Sequence, residues 1–195
     1  MKKAYLTGVL LVVTVLLLAV YFYFRVPKAE APTQLPLSAT TTKAEIIPVP
    51  QTDGYKNTSY LIEGDDIMLK NGSAETPSAP GSPSMNLTDY FGNEVTTDLN
   101  ADGKQDVVFL LTHQTGGTGV FYYIVAALKT DSGYKGSQAF FIGDRIAPQT
   151  TEVKEGVIIV NYADRKVGAT FAEIPTEAKS LQLQFEVASM KFIKK

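Results

Sequence analysis

The sequence predicts a mainly β protein: one N-terminal transmembrane helix, a Pro-rich tether, and then a single twisted β-sheet domain, built as a sandwich or an open barrel. Three observations carry that expectation. Residues 4–24 run without a charge and are dominated by Leu and Val, close to the ~20 apolar residues that span a bilayer core. Residues 26–50 hold Pro27, Pro32, Pro36, Pro48 and Pro50 and show no periodicity. Beyond them, short apolar runs alternate with Gly- and Asp-rich punctuation, and none has the length and 3.6-residue repeat of a confident helix.

The first element, residues 1–25, is read as a cytoplasmic tip and membrane anchor. A cleaved signal peptide has a shorter apolar region, about 7–15 residues, and ends in small residues. Here the run ends in Tyr21, Phe22, Tyr23 and Phe24, and the small-x-small candidate Ala29-Glu30-Ala31 lies beyond Arg25 and Lys28 and precedes Pro32. The aromatic cluster fits an interfacial belt, and Lys2 and Lys3 favour a cytoplasmic N-terminus. The expected location is therefore a cell membrane crossed once, with the rest of the chain extracytoplasmic. Residues 26–50 are the tether, because Pro-rich chain stays extended and resists packing. Residues 51–195 form the domain.

Within the domain, residues 60–69 read as two short strands about the turn Glu63-Gly64-Asp65-Asp66. Residues 71–84 mix Gly, Ser and Pro and read as a long internal loop. Residues 107–112 and 120–128 are apolar runs joined by a turn with three glycines, which predicts a hairpin. Neither run alternates, so both are expected at the centre of the sheet with each face covered. Residues 139–142 and 157–162 look like further strands, and Leu181, Leu183, Phe185 and Val187 alternate with period two. A short helix near residues 176–180 is the one helical candidate outside the membrane segment.

Composition excludes several functions. After Arg25 the chain carries 15 basic and 20 acidic residues, a net of −5, so nothing suits it to nucleic acid, whose phosphates require clustered Lys and Arg. With no Cys there is no disulfide framework, and with His113 as the single His a His-rich zinc site cannot be built. Any metal is expected to be a hard, oxygen-preferring cation.

The strongest motif is Asp98-Leu99-Asn100-Ala101-Asp102-Gly103-Lys104-Gln105-Asp106. Side-chain oxygens of Asp98, Asn100 and Asp102 at alternate positions can converge on one Ca2+, Gly103 permits the sharp turn, Lys104 offers its backbone carbonyl, and Asp106 can close the shell directly or through water. Position 12 is Phe109, where an EF-hand has a bidentate Glu, and the loop feeds a strand. The loop resembles the calcium loops of dockerins and of FG-GAP-type β repeats. The competing reading is an Asp-Gly turn that reverses the chain without metal, which leaves three carboxylates crowded and uncompensated.

Other signals are weaker. Asp144-Arg145 and Asp164-Arg165 each close an expected strand. They form either a polar site, with Arg holding an anion and Asp acting as base, or an ion-pair network pinning loops, and the second is preferred. His113 titrates nearest neutrality, but a lone His before a Gly-rich turn reads as a loop residue. The aromatics at 121–123 and 140–141 read as core. Asn57, Asn71 and Asn86 lie in N-x-S/T sequons. There is no G-x-S-x-G elbow, no H-E-x-x-H and no G-x-x-x-x-G-K loop.

With these residues in view, the stretches YFGNEVTTDLNADGKQDVVFLLTHQTGGTGVFYYIVAAL (90–128), GDRIAPQTTEV (143–153) and VNYADR (160–165) resemble an uncharacterised family of small bacterial exported or membrane-anchored proteins, many from reduced-genome lineages. The resemblance covers roughly residues 57–165 and implies localisation and domain identity, not an activity. The expected function is a membrane-anchored, extracytoplasmic calcium-binding module of the cell envelope, binding or structural and not an enzyme, with an envelope protein or a glycan as partner. The alternative is an envelope hydrolase or transferase using Asp144, Arg145, Asp164 and Arg165.

Overall fold

The computed structural model describes residues 54–195. The expected transmembrane helix, the tether and residues 51–53 lie outside the described residues, and among the described residues no helix is long and apolar enough to cross a membrane. The chain enters on a 3-10 turn, Gly54–Asn57, then forms a hairpin of β1 (Ser59–Ile62) and β2 (Asp65–Met68). Its two-residue turn, Glu63-Gly64, has both φ angles positive, 54° and 100°, as a primed hairpin turn requires.

Next come β3 (Ser73–Pro77), β4 (Met85–Thr97), β5 (Asp106–Gln114), β6 (Phe121–Thr130) and β7 (Gly133–Gly136), lying side by side in that order. β8 (Phe140–Asp144) pairs with β6 at the end that β7 leaves open, which makes the sheet six-stranded. A four-stranded sheet follows, in the order β12 (Lys191–Lys194), β11 (Glu177–Glu186), β10 (Val157–Asp164), β9 (Ala147–Lys154). Every strand pairing in the three sheets is antiparallel.

The continuous apolar runs are explained by burial on both faces of the larger sheet. Val108 and Leu110 of β5, with Ile124, Ala126 and Leu128 of β6, pack against Ile158, Val160, Leu183, Phe185 and Phe192 of the four-stranded sheet. The intervening Val107, Phe109, Leu111, Tyr123, Val125 and Ala127 pack on the other side against Tyr55, Tyr60, Ile62, Ile67 and Leu69 from the N-terminal turn and hairpin. Strands β5 and β6 therefore form a middle layer with no solvent face, so side-chain period two leaves no polar trace in the sequence. The outer strand β11 keeps its alternation, with Leu183 and Phe185 inward between exposed Gln182 and Gln184.

Three local expectations are corrected. Residues 71–84 are not one loop, because Ser73–Pro77 pairs with β4 as an edge strand, where a terminal Pro is tolerated. Residues 176–180 are not helical but the start of β11, hydrogen-bonded along β10. His113 is not in a turn: it lies within β5 and is 4 % exposed. The thirteen-residue β4 went unread. Its run is polar and is interrupted by a bulge at Gly92 and Asn93 (φ 110° and 50°), which reads in sequence as a turn.

Candidate functional site

The loop of residues 98–106 joins β4 to β5. Ala101 (φ 58°) and Gly103 (φ 83°) turn it back on itself. Its side-chain oxygens are gathered by backbone amides: Asp98 Oδ1 accepts from Asp102 N at 3.2 Å and Asp98 Oδ2 from Gly103 N at 2.9 Å. Asn100 Oδ1 also accepts from Asp102 N at 3.2 Å, and Asp102 Oδ1 accepts from Lys104 N at 2.8 Å. Asn100 Nδ2 donates to Asp102 Oδ2 at 3.2 Å. The oxygens of Asp98 and Asn100 thus meet at one amide, and each keeps a second lone pair for another partner.

Asp106 behaves differently. It is fully buried, and its two oxygens accept the amides of Leu99 (2.9 Å) and Lys129 (2.7 Å). It therefore ties the start of the loop to the end of β6. Burial pushes its carboxyl above the usual carboxylate range, the two amides pull it down, and the charges of Asp102 and Asp98 push it up again. The Lys104 ammonium reaches across to Asp131 at 2.7 Å, a second tie between the loop and the β6–β7 turn. With Asp131 almost wholly exposed, that pair contributes little to stability. A cleft of about 340 Å³ lies along this junction, walled by Asn100, Asp102, Lys104, Lys129 and Asp131 among others.

The residues present fit a hard cation: three side-chain oxygen donors, a backbone carbonyl at Lys104, and no nitrogen or sulfur ligand. Among the described residues no group of three or more His, Asp or Glu stands gathered as a metal cluster. The donor set accounts for this, since one of the three side-chain donors is an Asn and the remaining loop carboxylate, Asp106, is turned to two amides. Sequence reasoning missed Asp131 and the Lys129 amide. Their only trace was the turn Asp131-Ser132-Gly133, whose approach to the loop depends on the β5–β6 pairing.

The two Asp-Arg pairs do come together, because β9 begins two residues after Arg145 and pairs Ala147 with Ala163 at the end of β10. Arg145 lies on Asp144 through two bonds (Nε to Oδ1 3.0 Å, Nη2 to Oδ2 2.6 Å), and its guanidinium stacks on Phe171, 3.7 Å from the ring centre. Arg165 donates to the carbonyls of Arg145 (2.8 Å) and Glu173 (2.7 Å). Asp164 accepts from Lys179 Nζ at 2.7 Å and from Arg165 N at 2.7 Å. Arg145 holds the Asp144 carboxyl below its ordinary value. Burial works to raise Asp164, yet the Lys179 ammonium and the Arg165 amide outweigh it and leave that carboxyl lowered. Both carboxyls are committed to neighbours, and the bonds of Arg165 to Glu173 O and of Thr176 N to Asp164 O fasten the 165–176 loop.

His113 stands directly across from Thr88 of β4 in the same sheet, its Nδ1 2.8 Å from Thr88 Oγ1, both residues buried. Burial lowers its pKa, with Glu63 and Asp65 pulling the other way. Of the aromatics expected in the core, Tyr123 is buried, whereas Phe141 is half exposed. Asn57 and Asn71 are exposed, and Asn57 Oδ1 accepts the Asn71 amide. No family model, curated protein or solved structure matches this chain.

Proposed function

We propose that the chain is a single-pass membrane protein with a cytoplasmic N-terminus, whose extracytoplasmic β domain serves the cell envelope as a non-catalytic binding or structural module holding Ca2+ in the loop of residues 98–106. The observation that carries the calcium reading is the gathering of Asp98, Asn100 and Asp102 oxygens by the amides of Asp102, Gly103 and Lys104. Such a loop needs little reordering to receive an ion. Bound calcium would supply positive charge between Asp98 and Asp102, which otherwise repel. Asp106 contributes from behind by fixing the loop to β6. The membrane reading rests on the uncharged residues 4–24 and the flanking Lys2 and Lys3.

A hydrolase or transferase at Asp144, Arg145, Asp164 and Arg165 is less well supported, because both carboxylates are spent on ion pairs and backbone amides. The test of the calcium reading is a calorimetric titration of the chelator-treated full chain in non-ionic detergent. One equivalent of calcium should bind at ~10⁻⁴–10⁻³ M, and Asp102→Ala should abolish the heat. Absence of a saturable heat in the unaltered chain, with no calcium retained on elemental analysis, would leave the loop a metal-free turn.

A further inference from the structure

A further cleft lies between the β1–β2 hairpin, β7 and the β11–β12 turn. It measures about 640 Å³, within the range of about 300–1,000 Å³ usual for ligand sites. Its floor is the outer face of the β1–β2 hairpin, where Ser59 sits opposite Met68 and Leu61 opposite Asp66. The same strands bury Tyr60, Ile62 and Ile67 on their inner face. The far walls come from β7 and from the β11–β12 turn, with Lys135, Met190 and Lys191. Three sheets therefore meet here, and Gln138 N donates to Met190 O at 2.9 Å to hold the walls together. Gly136 lets them close: a Cβ there would stand 2.0 Å from the Ser59 carbonyl oxygen.

The lining has a definite chemistry. Leu61 (38 % exposed) and Met68 (53 %) present apolar surface to solvent at the outer layer, and Met190 adds a second flexible thioether, a combination that adapts to varied side chains. Lys135 and Lys191 form no ion pair among the described residues. Among the lining residues two lysines stand against the single carboxylate of Asp66, with Glu186 held at the rim by the Ser189 hydroxyl. The lining holds one aromatic ring, Tyr134, already covered by the Lys129 ammonium at 4.3 Å. The flat free ring that best covers the apolar face of a sugar is thus missing from this wall. A second cleft, the one beside the 98–106 loop, shares Lys135 and Met190 with it.

From the two exposed lysines and the Leu–Met floor we infer that this cleft docks an extended acidic peptide segment of a partner protein, its carboxylates on Lys135 and Lys191 and its apolar side chains on Leu61, Met68 and Met190. This names the partner of the binding role proposed above and rests on that role, but not on calcium. The test measures fluorescence anisotropy of a labelled alternating Glu-Leu hexapeptide titrated with the full chain in non-ionic detergent and chelator, beside Lys-Leu and Gln-Leu counterparts. The Glu-Leu peptide should bind in preference to both. The double variant Lys135→Glu, Lys191→Glu should weaken it at least about tenfold, as should raising salt to about 0.5 M. Lys166→Glu, in the 165–176 loop, should leave it unchanged. Both lysines are exposed, and an unshifted melting curve of each variant verifies folding. Equal binding of the three peptides, or of the double variant, overturns the inference. So does saturable binding of polygalacturonate without the peptide, which assigns the cleft to a glycan, or self-association abolished by the double variant, which assigns it to a second copy. Because the assay runs in chelator, its failure leaves the calcium reading standing, and a failed calcium titration does not touch it.

Discussion

Replacing Asp106 by Asn tests what holds the 98–106 loop in place. The substitution keeps the shape and removes the charge. Asn offers one acceptor oxygen and one NH2 donor, so only one of the two amides now bonded to Asp106, those of Leu99 and Lys129, retains its partner. The other faces a donor at a fully buried position. A buried donor left unpaired costs about 1–3 kcal/mol. Some of that is returned, since burial holds the Asp106 carboxyl above its ordinary range and the charges of Asp98 and Asp102 add to the strain. The expected net loss is about 1–2 kcal/mol, or about 4–8 °C at roughly 4 °C per kcal/mol for a domain of this size. Thermal melts of the full chain in detergent and chelator, followed by tyrosine circular dichroism, measure it. Asp102→Asn, at an exposed position, serves as control and should stay within about 0.5 kcal/mol. A melt of Asp106→Asn indistinguishable from the unaltered chain, or an equal loss in the control, would refute the clamp.

Three further outcomes follow from the same structure. Because burial lowers the pKa of His113, the unfolded chain takes up a proton first as pH falls below about 6.5, so stability is lost from there through the lower folded value; the urea midpoint should fall between about pH 7.5 and about pH 5.5, with a smaller fall in His113→Gln. Phe109 is fully buried and touches the rings of Tyr55, Tyr60 and Tyr90, so Phe109→Ala should cost about 3–5 kcal/mol, and a loss under about 1 kcal/mol would contradict the middle-layer assignment. If the chain is anchored as proposed, it should fractionate with membranes, keep its N-terminal peptide and be digested by protease added outside intact cells; a mature chain starting after Ala31 would contradict this.

How much of this was legible in the sequence follows from where water touches the chain. The runs that became β5 and β6 are uninterrupted because both faces are covered, and the Gly-rich turn between them stood out. β11 kept its alternation because one face meets solvent. β4 did not register, since its bulge at Gly92 and Asn93 carries turn residues inside a strand. β3 was hidden in a Gly-, Ser- and Pro-rich stretch, because an edge strand needs a partner more than it needs apolar residues. Within the 98–106 loop the donor spacing was readable, whereas the inward turn of Asp106 was not. It depends on the Lys129 amide, 23 residues further on. The meeting of Asp144-Arg145 with Asp164-Arg165 was likewise settled by strand ends lying together in space, and the pairing to Lys179 came from the neighbouring strand.

The claim that the loop holds calcium is tested most directly by the melting temperature of the full chain with and without the ion. A ligand that binds only the folded state stabilises by RT ln(1 + [L]/Kd), so about 1 mM calcium on a site of ~0.1 mM adds about 1.4 kcal/mol, a rise of about 4–6 °C. Magnesium should do much less, because it requires tight octahedral geometry and gives up water reluctantly. Asp102→Ala should erase the rise while the buried Asp106 keeps the fold. A melting temperature unmoved by calcium in the unaltered chain would contradict the account.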